Sequence, residues 1–413
     1  MLSRWNDKQA EAFGAESEAR GEPAALGLRV YTSRLIGQDP DLVLHGGGNT
    51  SVKIPAAEGT VIHVKGSGWD LGDIEAPGLP AMRLAPLLET RDVPRMSDED
   101  MVAFLRSHLL DPSAPNPSVE ALLHAYMPHA FVDHTHATAI LVLADQADME
   151  PVVQEIFGGR VGWVPYVMPG YDLSHACKDA LARDPSVDGL WLAQHGLFTF
   201  AETARESYEL MIEFVTMAEE YLAARGITVP APEDTDRTAP EALVRDLADA
   251  LVARDALGDE PALDFRSTPA IRAYLGRDDL PELARRGTVT PDHVIRLKPF
   301  GMLLQAGATR EEIDAALDGF AAEYRAYFER NAPHAAEEKV MLDPLPRVIL
   351  VPGAGIFGVG ANMKAARIAG DLFEQTCRVV NAAEAYRRFT PISERDLFDM
   401  EYWSLEQAKL KKQ

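Results

Sequence analysis

The sequence predicts a two-domain α/β protein with a metal site in its first domain. Three observations predict it. Short apolar, β-branched runs alternate along the 413 residues with amphipathic stretches of helical period. A proline-rich, aperiodic segment, residues 229–240 (Val-Pro-Ala-Pro-Glu-Asp-Thr-Asp-Arg-Thr-Ala-Pro), divides the chain. One apolar run carries His134 and His136 at i and i+2, and Gln194-His195-Gly196 closes a second such run. A chain of this length exceeds one ordinary hydrophobic core, so the domains are set at residues 1–230 and 240–413.

Apolar residues make up 46% and charged residues 25%, the balance of a globular chain. Two cysteines, Cys177 and Cys377, are too few for a disulfide framework or a thiolate metal cage, and they suit a reducing compartment. The stretch Met1-Leu2-Ser3-Arg4-Trp5-Asn6-Asp7-Lys8 is polar, and no apolar stretch reaches the length of a membrane span. The expectation is therefore a cytoplasmic protein with no membrane partner. The net charge of −24 repels phosphate backbones and argues against nucleic acid. A small anionic substrate stays compatible where local cations and backbone N–H groups outweigh that field.

Residues 8–37 read as one or two helices, and Gly37-Gln38-Asp39-Pro40-Asp41 as a turn. Apolar residues then flank a Gly46-Gly47-Gly48 loop, and the chain continues through Asn49-Thr50-Ser51 into an alternating strand ending at Ile54. Glycines let a backbone approach an anion closely with its N–H groups. Gly48, Asn49 and Ser51 are thus candidate anion ligands, with a tight hairpin as the alternative. Val61-Ile62-His63-Val64-Lys65-Gly66-Ser67-Gly68 repeats the pattern with a cation, adding Lys65, Ser67 and Gly68 to the candidates. For Lys65 the alternative is a solvated strand-end lysine. Residues 97–110 form an amphipathic helix capped by Ser97, with Asp100 at the capping-box position. After a rigid loop, Ser118-Val119-Glu120 opens a helix running to about Tyr126, in which Glu120 and His124 share a face.

The run from Ala130 to Ala144 reads as a buried strand, from which His134 and His136 project on one face. These two imidazoles and His195 from another strand end make three ligands. A fourth position stays open, as in catalytic zinc sites. Imidazole-only ligation suits Zn2+ or another borderline divalent ion. Glu120, just ahead of this strand, is placed to act as a base; a solvated helical glutamate is the alternative.

Further on, the patterns predict a helix from Met149 to Phe157, a strand around Val161 to Met168 and a helix after Asp172. A strand from Gly189 to Ala193 continues through Leu197-Phe198, and a long helix follows from Thr203 to Ala224. Beyond the linker, helices are expected at about 240–256, 309–330 and 361–388, and strands at Val294–Leu297 and Arg347–Val351. Gly353-Ala354-Gly355-Ile356-Phe357-Gly358 matches G-x-G-x-x-G. However, a long helix follows it without the acidic strand that a dinucleotide fingerprint requires, so dinucleotide binding is not expected. Asp133-His134 and Gly196-Leu197-Phe198 recur as Asp292-His293 and Gly355-Ile356-Phe357, both shifted along the chain by the same interval. The second domain is thus predicted to be a diverged partial copy of the first. In it His293, Ile295 and Ala354 stand for His134, His136 and His195, and no metal is held.

Five motifs, in order, carry a resemblance to the class II aldolase/adducin family: Gly48-Asn49-Thr50-Ser51, Gly66-Ser67-Gly68, Pro117-Ser118-Val119-Glu120, His134-Thr135-His136 and Gln194-His195-Gly196. They span about residues 25–225. The whole chain, with Glu401-Tyr402-Trp403-Ser404-Leu405-Glu406 near its end, resembles the aldolase part of rhamnulose-1-phosphate aldolase/short-chain dehydrogenase fusion proteins. The resemblance implies a three-layer α/β/α domain around a mostly antiparallel sheet, assembled as a homotetramer with active sites between subunits. It implies Zn2+-dependent retro-aldol cleavage of a ketose 1-phosphate or related sugar acid to a dihydroxyacetone phosphate-type product and an aldehyde, through a metal-stabilised enediolate. His134, His136 and His195 would hold the metal, and Glu120 would move the proton. Asn49, Ser67, Gly68 and Ser118 would bind phosphate. Two points depart from the family's pattern. Val119 stands where the phosphosugar aldolases carry a second serine, which puts the anion in question, with Lys65 as a compensating cation. The proton-donating tyrosine has no matching motif; Tyr402 and Tyr171 are the candidates. The alternatives are another lyase or isomerase of the family (a dehydratase, decarboxylase or 4-epimerase) and a non-catalytic adducin-like module. The epimerases resemble the aldolases but carry Asp at the position of Glu120. Adducin-type members lose the metal histidines, whereas all three remain here.

Overall fold

The computed structural model describes residues 1–404 except Asp234, Asp259 and Ala336. Leu405 and Glu406 of the terminal motif lie outside the described residues. Two compact units emerge, the first Met1–Ile227 and the second beginning at Thr228.

The first unit is built on seven strands: β1 (Asn49–Ile54), β2 (Val61–Val64), β3 (Ala81–Arg83), β4 (Phe131–Thr135), β5 (Val161–Val164), β6 (Gly189–Leu192) and β7 (Gly196–Ala201). Their order across the sheet is β3-β2-β1-β4-β7-β6-β5. Only β5 and β6 run parallel; the other pairings are antiparallel. Helices Ala24–Gly37, Thr138–Ala144, Glu150–Phe157 and Ala204–Ala223 cover one face, and Ala121–Tyr126 and Tyr171–Arg183 the other. This is the three-layer α/β/α architecture with a mostly antiparallel sheet.

Alternation along β4 splits its side chains between the two faces. Asp133 points to one layer, where its carboxylate meets the Arg29 guanidinium at 2.5 Å and the Ser207 hydroxyl at 2.5 Å. Arg29 also donates to Thr32 Oγ1 and to the carbonyls of Ser51 and Val132, so it ties helix 24–37 to β1 and β4. Both members of the ion pair are fully buried. Removing one charge strands the other, which costs about 3–5 kcal/mol. We therefore expect Asp133→Ala to lower the unfolding free energy of the first unit by that amount, read from urea melts; an unchanged midpoint would refute the role of the pair.

Three local expectations fail here. The apolar run to Ala144 is not one strand: β4 stops at Thr135, and Thr138–Ala144 is a helix buried on every side. Such a run has no polar face, so its period cannot separate strand from helix. Glu120 is the N-cap of helix Ala121–Tyr126 rather than a residue of its first turn. The run from Gly189 through Phe198 is not one continuing strand but the antiparallel β6–β7 hairpin, because Gln194 at positive φ and Gly196 turn the chain back. The Ser97 cap on Asp98–Ser107 is as expected.

The second unit carries four strands, β8 (Ala262–Arg266), β9 (Met302–Leu303), β10 (Val348–Val351) and β11 (Gly355–Gly360), in the order β8-β11-β10-β9. That order repeats β4-β7-β6-β5. The β10–β11 hairpin pairs Val348 with Gly358 and Val351 with Gly355. The β6–β7 hairpin pairs Gly189 with Thr199 and Leu192 with Gly196, the same register at the interval that the sequence motifs show. In each case the outer neighbour of the hairpin's first strand runs parallel, and that of its second strand runs antiparallel. Leu190, Leu192, Phe198 and Phe200 pack one core, and Ile349, Val351, Phe357 and Val359 at the same offset pack the other.

The predicted partner of the metal strand is nevertheless wrong. Pro291–His293 is a 3-10 turn, and Val294–Leu297 is a helical turn rather than a strand. Thr290 caps this turn by accepting from the His293 amide, and Pro291 sits at its first position, which outweighs the β-branched run after it. The register assigns the equivalence instead. Phe265 lies opposite Phe357 as His134 lies opposite Phe198, and Asp264 opposite Gly358 as Asp133 opposite Thr199. The offset at this strand, from Phe131 to Ala262, is shorter than the one from Gly189 to Val348, and it carries helix Thr138–Ala144 onto Pro269–Leu275. His134, His136 and His195 thus correspond to Phe265, Ser267 and Ala354. Asp264, like Asp133, is buried against arginine, here Arg266 at 2.7 Å and Arg237.

Lys298 in the second unit is buried, with its ammonium 3.8 Å from Glu401 and 3.7 Å from the centre of the Tyr324 ring. Burial pushes this amine down to about 8 against the pull of Glu401, with Arg347 lowering and Asp343 raising it further. An unfolded lysine titrates near 10.4. Between those values the folded chain binds fewer protons than the unfolded one, so stability rises with pH across that window, and the penalty of the buried charge is complete below it. The urea midpoint of the native chain should therefore be higher at pH 10 than at pH 8. In Lys298→Met, where Glu401 loses its cation, the slope should vanish or reverse; an unaltered slope would contradict the assignment.

Candidate metal centre

The three histidines converge through separate local devices. His134 is the fourth residue of β4, opposite Asn49 of β1 and Phe198 of β7. His136 follows just past the end of the strand. His195 sits in the β6–β7 turn, whose tight loop is set by Gln194 at φ +54°. Gly196 beside it has no room for a side chain, because a Cβ would strike the Thr135 carbonyl and crowd both His134 and His136.

One ligand nitrogen from each ring lies within 4.8 Å of the others. Nε2 of His134 and Nε2 of His136 are 3.1 Å apart. Ligands at about 2.0–2.1 Å from zinc stand roughly 3.3–3.4 Å from one another in a tetrahedron, so this spacing fits a divalent ion. His134 Nδ1 lies 3.1 Å from the Leu197 carbonyl, to which it donates, and this leaves the Nε2 lone pair for the cluster. Phe198 stacks on the His134 ring, with centroids 4.1 Å apart, and fixes its plane. All three histidines are between 1% and 4% exposed. Buried nitrogens with converging lone pairs repel one another unless a cation or proton sits between them. Among the described residues this is the one His/Cys/Asp/Glu group with metal-ligand spacing.

Glu120 stands beside the three rings. Its carboxylate oxygens lie 3.8 Å from His134 Nε2 and 3.8 Å from His195 Nε2. Asn49 Nδ2 donates to Glu120 Oε2 at 2.6 Å and approaches Ser118 Oγ at 3.2 Å.

The glycine loops do converge beside it. Lys65 donates from its backbone amide to the Thr50 carbonyl and from its ammonium to the Gly46 carbonyl, at 2.8 Å for the latter. The Ser118 amide donates to the Lys65 carbonyl, and the Ser67 amide to the Asn116 carbonyl. Lys65 is buried and braces the first loop from inside; it is not a solvated strand-end lysine. Gly48, at φ +59°, presses on the His134 carbonyl, where a Cβ would come within 2.5 Å. Ser67 and Ser118 are half-buried and Gly68 is exposed, so these three form the open side. Ser51 does not join them. Its hydroxyl is fully buried and bonds His124 Nδ1 at 2.8 Å, because alternation along β1 turns it toward helix 121–126.

His124 is the residue that sequence reasoning left without a role, although its position four after Glu120 was visible. Its Nε2 bonds Asn49 Oδ1. Burial pushes its pKa well below the usual histidine range, and the charges of Lys53, His134 and Arg29 push the same way, so the ring is neutral. Neither candidate tyrosine is a free proton donor. Tyr171 donates to the carbonyls of Thr90 and Val93. Tyr402 is buried in the second unit against Tyr324 and the Leu342 amide.

Residues 28–222 match the model of the class II aldolase and adducin N-terminal domain, and residues 239–410 that of the class II aldolase second domain. The chain belongs to the class II aldolase/adducin family. A curated relative, the uncharacterized oxidoreductase YuxG of Bacillus subtilis, is 30% identical over 411 residues; the match covers 94% of this chain and 58% of the relative. The chain thus spans little more than half the length of that relative. Among solved structures, the N-terminal class II aldolase domain of a Thermoplasma acidophilum protein is 37% identical over 54% of this chain and 99% of its own, with a TM-score of 0.48. The L-fuculose-1-phosphate aldolase of Thermus thermophilus is 19% identical over 48% of this chain and 95% of its own, with a TM-score of 0.33. Among the described residues, no helix is long and apolar enough to cross a membrane.

Proposed function

We propose that the chain is a divalent-metal-dependent aldehyde-lyase acting on a ketose 1-phosphate or a related sugar acid. The products would be a dihydroxyacetone phosphate-type ketone and an aldehyde. One observation carries this reading: a buried carboxylate, Glu120, held by Asn49 at 2.6 Å and standing 3.8 Å from two nitrogens of the His134/His136/His195 cluster. A divalent ion on the three imidazoles, zinc by their chemistry, supplies Lewis acidity toward a substrate carbonyl oxygen. Glu120 then removes or returns the proton at the adjacent carbon, the step that retro-aldol chemistry requires. Ser67, Gly68 and Ser118 on the open side offer hydroxyl and N–H donors to the anionic end, while Lys65 shapes the loop that faces it.

In the cleavage direction the hydroxyl on the carbon that becomes the aldehyde has to lose its proton, and with the hydroxyls of Tyr171 and Tyr402 already engaged, the group that takes it (and returns it in the reverse condensation) has to come from elsewhere. A neighbouring subunit of a homotetramer is the source this reading favours. The oxidoreductase name of the Bacillus relative finds no support in Gly353–Gly358. That run forms the turn and second strand of the β10–β11 hairpin, with Gly358 packed on the Ala366 carbonyl. The test is a screen of ketose 1-phosphates and free aldonates for aldehyde release by metal-loaded protein. Release that EDTA stops and added metal restores is expected. Release indifferent to EDTA, or none from any substrate of either class, would count against the proposal.

A further inference from the structure

We infer that His124 is a positioning residue that fixes the orientation of Asn49 and, through it, the carboxylate of Glu120. The inference rests on Glu120 being the acid–base group. Its basis is a one-way chain of hydrogen bonds inside the first unit: Ser51 Oγ to His124 Nδ1 at 2.8 Å, His124 Nε2 to Asn49 Oδ1, and Asn49 Nδ2 to Glu120 Oε2 at 2.6 Å. The four side chains belong to residues that are 0%, 0%, 6% and 4% exposed, so no water competes for these groups.

Polarity along the chain follows from chemistry. A carboxylate accepts only, so Asn49 must present its NH2 to Glu120. Its carbonyl then faces His124, whose Nε2 has to carry the proton. A neutral imidazole has one N–H, so Nδ1 accepts, and the Ser51 hydroxyl donates to it. With His124 in the other tautomer, the Asn49 amide would turn over and aim its oxygen at the Glu120 carboxylate. The helix makes the arrangement possible: Glu120 caps it, and His124 lies one turn on, over the cap. Phe198 separates the ring from the metal ligands, meeting His124 edge-on at 5.5 Å and lying flat on His134. His124 therefore acts on the base without touching metal or substrate.

Three measurements on the full chain test this. In His124→Leu, kcat should fall about 10–100-fold, the usual cost of losing an outer-shell partner, with KM and bound metal unchanged. His124→Gln, whose amide can donate to Asn49 Oδ1, should recover most of that loss. A parallel fall of metal content and melting temperature in both variants would mark a general packing role and overturn the inference, as would full kcat in His124→Leu. Ring 15N shifts of His124 in wild-type protein give a readout without any substrate. The Nε2–H tautomer is expected in wild type and also in Ser51→Ala, because the Asn49 carbonyl, fixed by Glu120, still requires it; the Nδ1–H tautomer in wild type would refute the chain of bonds even if no lyase activity were found. If the tautomer is as expected and no substrate is cleaved, the lyase reading fails and the hydrogen-bond order stands.

Discussion

Replacing His134 with alanine will remove metal binding and reduce cleavage by more than about 10³-fold, because losing a ligand costs more than the 10–100-fold typical of an outer-shell partner. His134 is held by several contacts at once. It bonds the Leu197 carbonyl, stacks on Phe198, faces Glu120 at 3.8 Å and lies 3.1 Å from His136 Nε2. The substitution also empties a fully packed position on β4, so a circular dichroism melt should accompany the metal assay. A variant that folds like wild type, loses its metal and loses cleavage supports the centre. One that folds, keeps its metal with unchanged affinity and still turns over removes His134 from it.

Glu120→Gln tests the acid–base step separately. The amide keeps the size of the carboxylate but cannot take a proton, so proton exchange at the carbon next to the carbonyl should fall by about 10²–10⁴-fold. Metal should stay bound, because the three imidazoles are untouched. The readout is deuterium entering the ketone product from D2O, which reports the carbanion step without the aldehyde. Wild-type exchange rates in Glu120→Gln would reject the assignment of the base and leave the metal assignment intact.

The convergence of His134, His136 and His195 was legible in the sequence because two physical patterns are short-range. His-x-His on an extended run places two rings on one side, and a histidine beside glycine at a strand end turns a third toward them. Glu120 was legible by its place before that run. What stayed hidden depends on contacts across the sheet. The inward turn of Ser51, the bracing role of Lys65 and the link through His124 each need the β1–β4 pairing and helix 121–126 to be in place. The helix at Thr138–Ala144 was missed because an all-apolar run has no period to read. The likeness between the two halves was read from the hairpin motifs, and the counterpart of β4 was misassigned. Between β8 and β10 the second unit holds more chain than the first holds between β4 and β6, so one fixed offset could not serve both. Strand register gives the shorter offset at β8 and replaces His293 with Phe265 as the counterpart of His134.

A phenylalanine, a serine and an alanine at the three ligand positions leave the second unit without an equivalent centre. Its closest chemical parallel to the first is the buried Asp264 against arginine, which matches Asp133 and belongs to the framework. The central claim is therefore one metal ion per chain, held by His134, His136 and His195. Elemental analysis of the purified full chain measures it directly. One equivalent of a divalent transition metal per chain, absent from His134→Ala, is the predicted result. No bound metal, or an equivalent that persists in His134→Ala, would contradict it.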